Sequence, residues 1–397
     1  MLSMEVRNVS EALFFGKQFI EQNGVEVQTR NGLALEFPTP VMTTYSHPEE
    51  RVLFYKGRDA NPYFHLMESL WMLAGRNEVD WISQFNGRIN TYSDDGEYFH
   101  GAYGFRWREW FTKDQLQMVS HRLKTYPNDR RSVVTMWDPW EDLWEENDGK
   151  DYPCNTHIYF WERKGRLNMT VCNRSNDMIW GAYGANAVHM SFLLEYMAQI
   201  NGYKMGRYYQ ISNNLHAYVD VLNKLDLGDS CDFEPYLTLA EDGLSYSPPP
   251  LINDPDSFDA ELQKWFLGAE VNDDVSGEYK NTFLSKTASP MYRSWRAWKY
   301  KRIDFALYHA KEIHDRAWRK ACIEWLERRK MQKNLNFLSK IDANGKLDNT
   351  IQAYCDDCGS SKVVTFRNIK NKFPICKKCK QPMRLKHDTI SPVQTTD

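Results

Sequence analysis

The stretch Pro153–Asn186, PCNTHIYFWERKGRLNMTVCNRSNDMIWGAYGAN, decides how the rest of the chain is read. Tyr152–Trp161 and Leu167–Asn173 alternate in polarity on either side of Lys164-Gly165, which predicts two antiparallel strands joined by a tight turn. Cys154 stands just after a proline at the head of the first strand, and the polar cluster Arg174-Ser175-Asn176-Asp177 follows the second. A small-residue turn, Gly181–Asn186, then leads into an apolar helix over 187–200. This layout puts a thiol, a guanidinium, a hydroxyl and an amide on strand ends and loops, the parts needed to hold a phosphorylated small molecule and attack it. The plainer alternative is a small buried cysteine beside solvated charges.

Working outward, residues 10–23 predict a helix ended by Gly24, and the amino end reads as part of a folded helix without the layout of a signal peptide. Val25–Thr44 alternates around an Asn31-Gly32 turn. Asn61-Pro62 opens an apolar helix that stops at Gly75 and carries Glu68 in its middle. A carboxylate among such neighbours is either an edge residue or an acid–base group with a raised pKa. Residues 86–107 read as an irregular, aromatic-rich segment, and a helix near 114–124 leads to Arg130 and Arg131 before the strand VVTMW. Tyr208–Ser212 predicts another strand, followed by Leu215-His216-Ala217-Tyr218. Helices are expected over 257–268 and 304–333. Strands and helices mix without regular βαβ alternation, which argues for an α+β fold.

The 397 residues suit one large core with an appendage, and a net charge of −3 gives no global reason to expect nucleic acid or a membrane surface. No apolar run is long enough to span a bilayer, so a cytoplasmic protein is expected. Of eight cysteines, four are scattered (Cys154, Cys172, Cys231, Cys322), as reduced thiols are. The others form two pairs, Cys355/Cys358 and Cys376/Cys379, separated by seventeen residues. That is the two-knuckle spacing of a structural Zn2+ site, with four thiolates and no open position for chemistry. The lysines and arginines around them, among them Lys362, Arg367, Lys370, Lys372, Arg384 and Lys386, suit nucleic acid, a protein contact or a merely soluble surface. Four segments are expected: a catalytic domain over 1–260, a helical extension over 261–333, a linker over 334–350 and a four-cysteine zinc ribbon over 351–390.

Six pieces in order carry a resemblance: His65-Leu-Met-Glu68-Ser-Leu-Trp71, Tyr103-Gly-Phe-Arg106-Trp107, Asp129-Arg-Arg131, Pro153-Cys154-Asn155, Arg174-Ser-Asn-Asp177 and Leu215-His216-Ala-Tyr218. The set, over roughly 25–260, resembles the thymidylate synthase and pyrimidine-nucleotide hydroxymethylase superfamily. The resemblance implies a mixed sheet with flanking helices, a homodimer, and 5,10-methylenetetrahydrofolate as one-carbon donor to a deoxypyrimidine monophosphate. It implies that Cys154 adds to C6 of the ring, that Glu68 runs water-mediated proton transfers, and that Tyr103 helps remove the C5 proton. Asp177 is implied to lie against the pterin and base. Arg174 and Ser175 would hold the phosphate, with Arg130 and Arg131 from the second subunit and Arg30 as a further ligand. His216 and Tyr218 would take the sugar hydroxyl.

Asn186 falls where the family reads the base, and an amide can both donate and accept toward the O4/N3 edge of uracil, which implies dUMP. The turn before it is one residue longer than the family's usual spacing. Tyr92 replaces the synthases' tryptophan, Asn214-Leu215 replaces Gly-Asp, and the short apolar tail of a synthase is replaced by an extension and the ribbon. These departures resemble the phage-type hydroxymethylases and favour capture of the one-carbon unit by water, giving 5-hydroxymethyl-dUMP in a host cytoplasm if a phage encodes the chain. A true thymidylate synthase is the alternative, and a nucleic-acid-binding zinc protein with an inactive nucleotide fold is a distant one.

Overall fold

The computed structural model describes residues 1–126, 128–143, 149–228, 231, 234–239, 246–271, 275, 277–343, 350–355, 358, 360–365, 375–380 and 383–385. Two compact units divide the chain, Met1–Leu326 and Glu327–Asp397. The first is an α+β unit. In chain order it contains β1 (Leu2–Val6), α1 (Val9–Asn23), β2 (Val25–Thr29), β3 (Gly32–Glu36), β4 (Val41–Tyr45), α2 (Pro62–Leu73) and α3 (Tyr103–Arg108). There follow β5 (Val133–Thr135), β6 (Asn155–Arg163), β7 (Arg166–Asn173), β8 (Asn176–Asp177), α4 (Asn186–Ile200), β9 (Lys204–Ser212) and β10 (Leu215–Tyr218).

Six strands make a mixed sheet in the order β1-β4-β9-β7-β6-β5, with β7 parallel to β9. The quoted hairpin is its β6–β7 pair, turned by Lys164 and Gly165 with φ of 54° and 74°, the handedness that suits strand twist. A second sheet, β2-β3-β10-β8, sets Leu215 opposite Asn176 and His216 opposite Asp177 in parallel register. That pairing brings two motifs some forty positions apart in sequence into direct adjacency.

α4 packs on β7 and β9 and against α2. Asn61 caps α2 by accepting from Tyr63 N and Phe64 N at 3.1 and 3.2 Å, Pro62 opens the helix, and Gly75 takes a φ of 74° beyond its end. Every residue of α2 is buried, Glu68 included. Part of the cover comes from beyond residue 260: Tyr63 Oη bonds Ser294 Oγ at 2.7 Å, and Tyr63 and Trp81 join Trp265, Tyr292, Trp295 and Trp325 in one aromatic cluster. The extension therefore braces the helix that carries Glu68.

Several local expectations change. Leu2–Val6 is a strand parallel to β4, with the helix starting only at Val9. Tyr103–Arg108 is helical within the stretch read as irregular, because Gly104 lets α3 pass so close to α2 that a Cβ there would meet Met72 O at 2.0 Å. The turn read over 181–186 belongs to a π-helical segment, Met178–Ala185, kinked at Tyr183 and Gly184. The helix expected over 304–333 is two, Ile303–Lys311 and Arg316–Ala343, preceded by Ser289–Lys299. The last runs through the first part of the expected linker, whose residues 344–349 lie outside the described residues.

In the second unit β11 (Thr350–Tyr354) pairs with β12 (Ser361–Thr365) and β13 (Arg384–Leu385). Arg367, Lys370, Lys372 and Lys386 lie outside the described residues. Among the described residues no helix is long and apolar enough to cross a membrane.

Candidate active site

Cys154 sits at the entrance to β6, and its carbonyl accepts from Arg174 N at 2.9 Å, tying the start of β6 to the end of β7. The Arg174 side chain folds back over the same corner: Nε donates to Pro153 O at 3.1 Å and Nη2 to Tyr152 O at 3.3 Å, while its head lies 5.4 Å from the Trp137 ring. Burial pushes the Cys154 thiol above its ordinary value, against the pull of the Arg174 charge and a hydrogen bond with Tyr103. Tyr103 is itself raised well above its usual range, by burial first and then by Cys154 and Glu68. The structure thus gathers thiol, cation and phenol at one corner, with the Glu68 carboxylate acting on the phenol, and the cation is the group that favours the reactive thiolate.

Asp177 closes the next side. Its Oδ1 accepts from Ile179 N and Trp180 N at 2.8 and 2.7 Å, capping the π-helical segment. Burial raises its carboxyl, opposed by those bonds and by His216 and Arg58. His216 is held through Nδ1 by Asn214 Oδ1 at 2.8 Å and meets the Tyr218 ring edge-on at 5.4 Å. Tyr218 Oη accepts from Asn31 Nδ2 at 3.3 Å, which puts the exposed turn bearing Arg30 beside the same strand.

The lengthened turn lies within the π-helical segment directly before Asn186. The π-helical turns accommodate an extra residue, and Asn186 opens α4 with Nδ2 donating to Asn176 Oδ1 at 3.0 Å. Asn176 is anchored in turn by its N–H on Asn214 O at 2.8 Å and by Nδ2 on Ser212 Oγ at 3.4 Å. Gly181 makes room, since a Cβ there would meet Asn176 Oδ1 at 2.7 Å. Ser175 is half-buried between Arg174 and this hub.

Arg130 and Arg131 are not brought to this cleft within one chain. Both are exposed in the turn before β5, the edge strand of the mixed sheet, with Arg131 Nε 3.4 Å from Asp129 Oδ1. The structure also supplies groups that the sequence reading missed. Arg58 is buried, donates from Nε to Ile179 O at 3.1 Å, stacks 4.1 Å from the half-exposed Trp180 ring, and is lowered to about 10 by burial. His65 is driven well below the imidazole range by burial, with Arg58 and His189 adding to it. His189 Nε2 lies 2.8 Å from Glu68 Oε2. Asp151 accepts from Gly101 N at 3.0 Å and is raised to about 6 by burial. Of these His65 stood in the quoted Glu68 motif without a role, and His189 lies three positions after Asn186 and hence on the same helix face.

In the second unit the Sγ atoms of Cys355, Cys358, Cys376 and Cys379 lie within 4.8 Å of one another, a set that could hold a metal ion. Tetrahedral thiolates at about 2.3 Å from zinc stand about 3.8 Å apart, and Cys358 Sγ and Cys376 Sγ are at 3.6 Å.

Fold and matching domain make the chain an enzyme of one-carbon transfer. The thymidylate synthase family model matches residues 17–241, and the chain belongs to that family. It is similar to the deoxyuridylate hydroxymethyltransferase of Pseudomonas phage M6, 45% identical over 83% of this chain and 95% of the relative. It is 40% identical to the protein of that name from Bacillus phage SP01, over 49% of this chain and 53% of the relative. It is 30% identical to the thymidylate synthase of Corynebacterium aurimucosum, over 41% and 62% of the two chains.

Proposed function

We propose that the chain hydroxymethylates dUMP at C5, taking the one-carbon unit from 5,10-methylenetetrahydrofolate. The observation that carries this reading is the surroundings of Cys154, whose thiol bonds Tyr103 and feels the charges of Arg174 and Asp177, with Glu68 acting on the same Tyr103 and Asn186 tied to Asn176, the neighbour of Asp177. The names of the phage relatives support the hydroxymethyl product over the methyl one.

Cys154 Sγ adds to C6, and the electron pair of the C5–C6 bond moves to C5, which becomes the carbon nucleophile. Arg174 and Ser175 hold the phosphate, with Arg30 at the turn beside Tyr218, and His216 and Tyr218 take the sugar hydroxyl. The folate supplies a carbon at the formaldehyde oxidation level. C5 bonds to that carbon; Tyr103 then removes the C5 proton as the bond from the carbon to the folate nitrogen breaks, releasing tetrahydrofolate and leaving a methylene on C5. Water, deprotonated through Glu68, then adds to that methylene, the electrons return to the ring, and C5=C6 re-forms as the Cys154 thiolate leaves. Asn186 meets the O4/N3 edge of uracil, and Asp177 lies against pterin and base.

The same reading makes the protein a homodimer. The mixed sheet carries Tyr159, Trp161 and Tyr209, Tyr159 exposed and the other two partly buried, and a second copy is the partner proposed for that surface. Arg130 and Arg131, in the turn before the edge strand of that sheet, would reach the partner's phosphate site. Residues 1–260 form the catalytic domain, 261–333 its brace, and 351–390 a ribbon whose Cys355, Cys358, Cys376 and Cys379 would hold a structural Zn2+. Nucleic acid or a protein is proposed as the partner of the ribbon, and the host cytoplasm as the place of action.

Incubating the protein with dUMP and methylenetetrahydrofolate tests the reading through the product's mass. A hydroxymethyl product with tetrahydrofolate released supports it. A methyl product with dihydrofolate makes the chain a thymidylate synthase instead.

A further inference from the structure

α2 carries His65 and Glu68 one turn apart, and α4, which packs against it along a seam, carries Asn186 and His189 at the same spacing. The Glu68 side chain keeps 10% of its surface open and the His189 side chain 2%, so the imidazole stands behind the carboxylate. His189 Nε2 lies 2.8 Å from Glu68 Oε2, off the line of a hydrogen bond, and neither ring nitrogen has another partner. A buried, unpartnered imidazole costs free energy that a leucine or methionine at the same place would not. Packing alone does not account for it.

We propose that His189 is a positioning residue for Glu68. Its Nε2–H donates to Oε2 when substrate closes the cleft, fixes the carboxylate toward Cys154, and favours the ionised form that takes a proton from water. Active-site bonds that are poorly aligned without ligand commonly tighten in the complex. The other charged or titratable groups around the seam are His65 on α2, Arg58 before it, Tyr103 from α3, and Asp177, Cys154 and Arg174 from the strand ends. Burial and Arg58 push His65 toward its neutral form, and His189 is the imidazole whose Nε2 stands 2.8 Å from the Glu68 carboxylate. The inference rests on the proposed one-carbon chemistry at Cys154.

The test compares His189→Gln, whose amide N–H reaches the place of Nε2, with His189→Asn, whose amide mimics Nδ1. The expected result for His189→Asn is a kcat lowered about 100-fold with the KM for dUMP moved less than about threefold. Its acidic limb in the kcat–pH profile should move up by roughly one unit, because a carboxylate that loses a donor is easier to protonate. His189→Gln should recover to within about tenfold of the parent. Added to Glu68→Gln, His189→Asn should cost less than about twofold more, the mark of a residue acting through another. Equal activity of the two His189 variants, an unmoved limb, or full additivity with Glu68→Gln overturns the proposal. If His189→Asn does not fold, the pH limb of His189→Gln decides, and a limb displaced by a full unit counts against. The product mass from the unsubstituted protein judges the underlying reaction separately.

Discussion

The two units answer the problem of holding a cysteine in opposite ways. In the first, Cys154 rides on a sheet and two helices whose core is continuous from Val6 to Leu326. In the second, Cys355 and Cys376 are themselves half of a buried cluster completed by Ala353 and Met383, with Cys358 and Cys379 packed against it. Hydrogen bonds from Ser360 hold Cys358 down at about 6, while bonding to Cys358 lifts Cys379 to about 12, an unequal sharing of protons between two neighbouring thiols. A divalent cation would settle that sharing in favour of four thiolates. On the proposed reading one thiol serves chemistry and the other four serve the fold.

The largest expected effect breaks the second half of that comparison. Stripping zinc from the full chain with a strong chelator should unfold the second unit, since a structural zinc supplies on the order of 10 kcal/mol of folding free energy. The first unit should keep its melting transition, which calorimetry of the same sample would resolve. A ribbon that keeps its dispersed amide resonances without metal would defeat the assignment. Next in size is Cys154→Ala. Turnover should fall by about 10⁴-fold or more, roughly 6 kcal/mol in the barrier, while the melting temperature moves by only a few degrees, as for a partly buried small side chain.

How much of this could be read in the sequence follows the range of the forces involved. Local signals survive: the Lys164-Gly165 turn, the Asn61-Pro62 start and Gly75 stop of α2, and the cysteine spacing of the ribbon all emerged where expected. That Cys154, Arg174 and Asp177 lie close together was legible because their motifs are dense and near in sequence. Arg58, His65 and Asp151 were not, because their character comes from burial by elements far away in sequence. Gly104 looked like a loop glycine and is a close approach between helices. The π-helical segment could not be foreseen either, since its i+5 bonding depends on Asp177 capping one end and Asn176 holding Asn186 at the other.

That segment makes the third prediction sharp. Asn186→Asp removes the donor to Asn176 Oδ1 and sets two acceptors about 3 Å apart unless the Asn176 amide turns over. With the flip, the new carboxylate accepts from Asn176 and can receive the amino group of cytosine. The ratio of kcat/KM for dUMP to that for dCMP should fall by about 100-fold, measured by competition in one vessel. An unchanged ratio with both substrates equally impaired would mean that Asn186 is not the base reader.

The smallest effect concerns stability at the cleft's edge. Asp151 accepts from Gly101 N at 3.0 Å, yet burial, reinforced by the charge of Asp94, raises it from 3.8 to about 6. In the unfolded chain the carboxyl ionises near 3.8, so between about pH 4 and pH 6 the folded state binds more protons than the unfolded one. Stability must then fall as pH rises through that window and level off above it. Asp151→Asn keeps an acceptor for Gly101 and abolishes the slope. After discounting for partial exposure, the variant should match the parent at pH 4 and be more stable by about 1–2 kcal/mol at pH 7, read from urea denaturation at the two values. The same substitution removes a negative charge that pushes the Cys154 thiol upward. The pH midpoint for Cys154 alkylation should therefore drop, and a midpoint that rises instead would place Asp151 on the stabilising side of the thiolate.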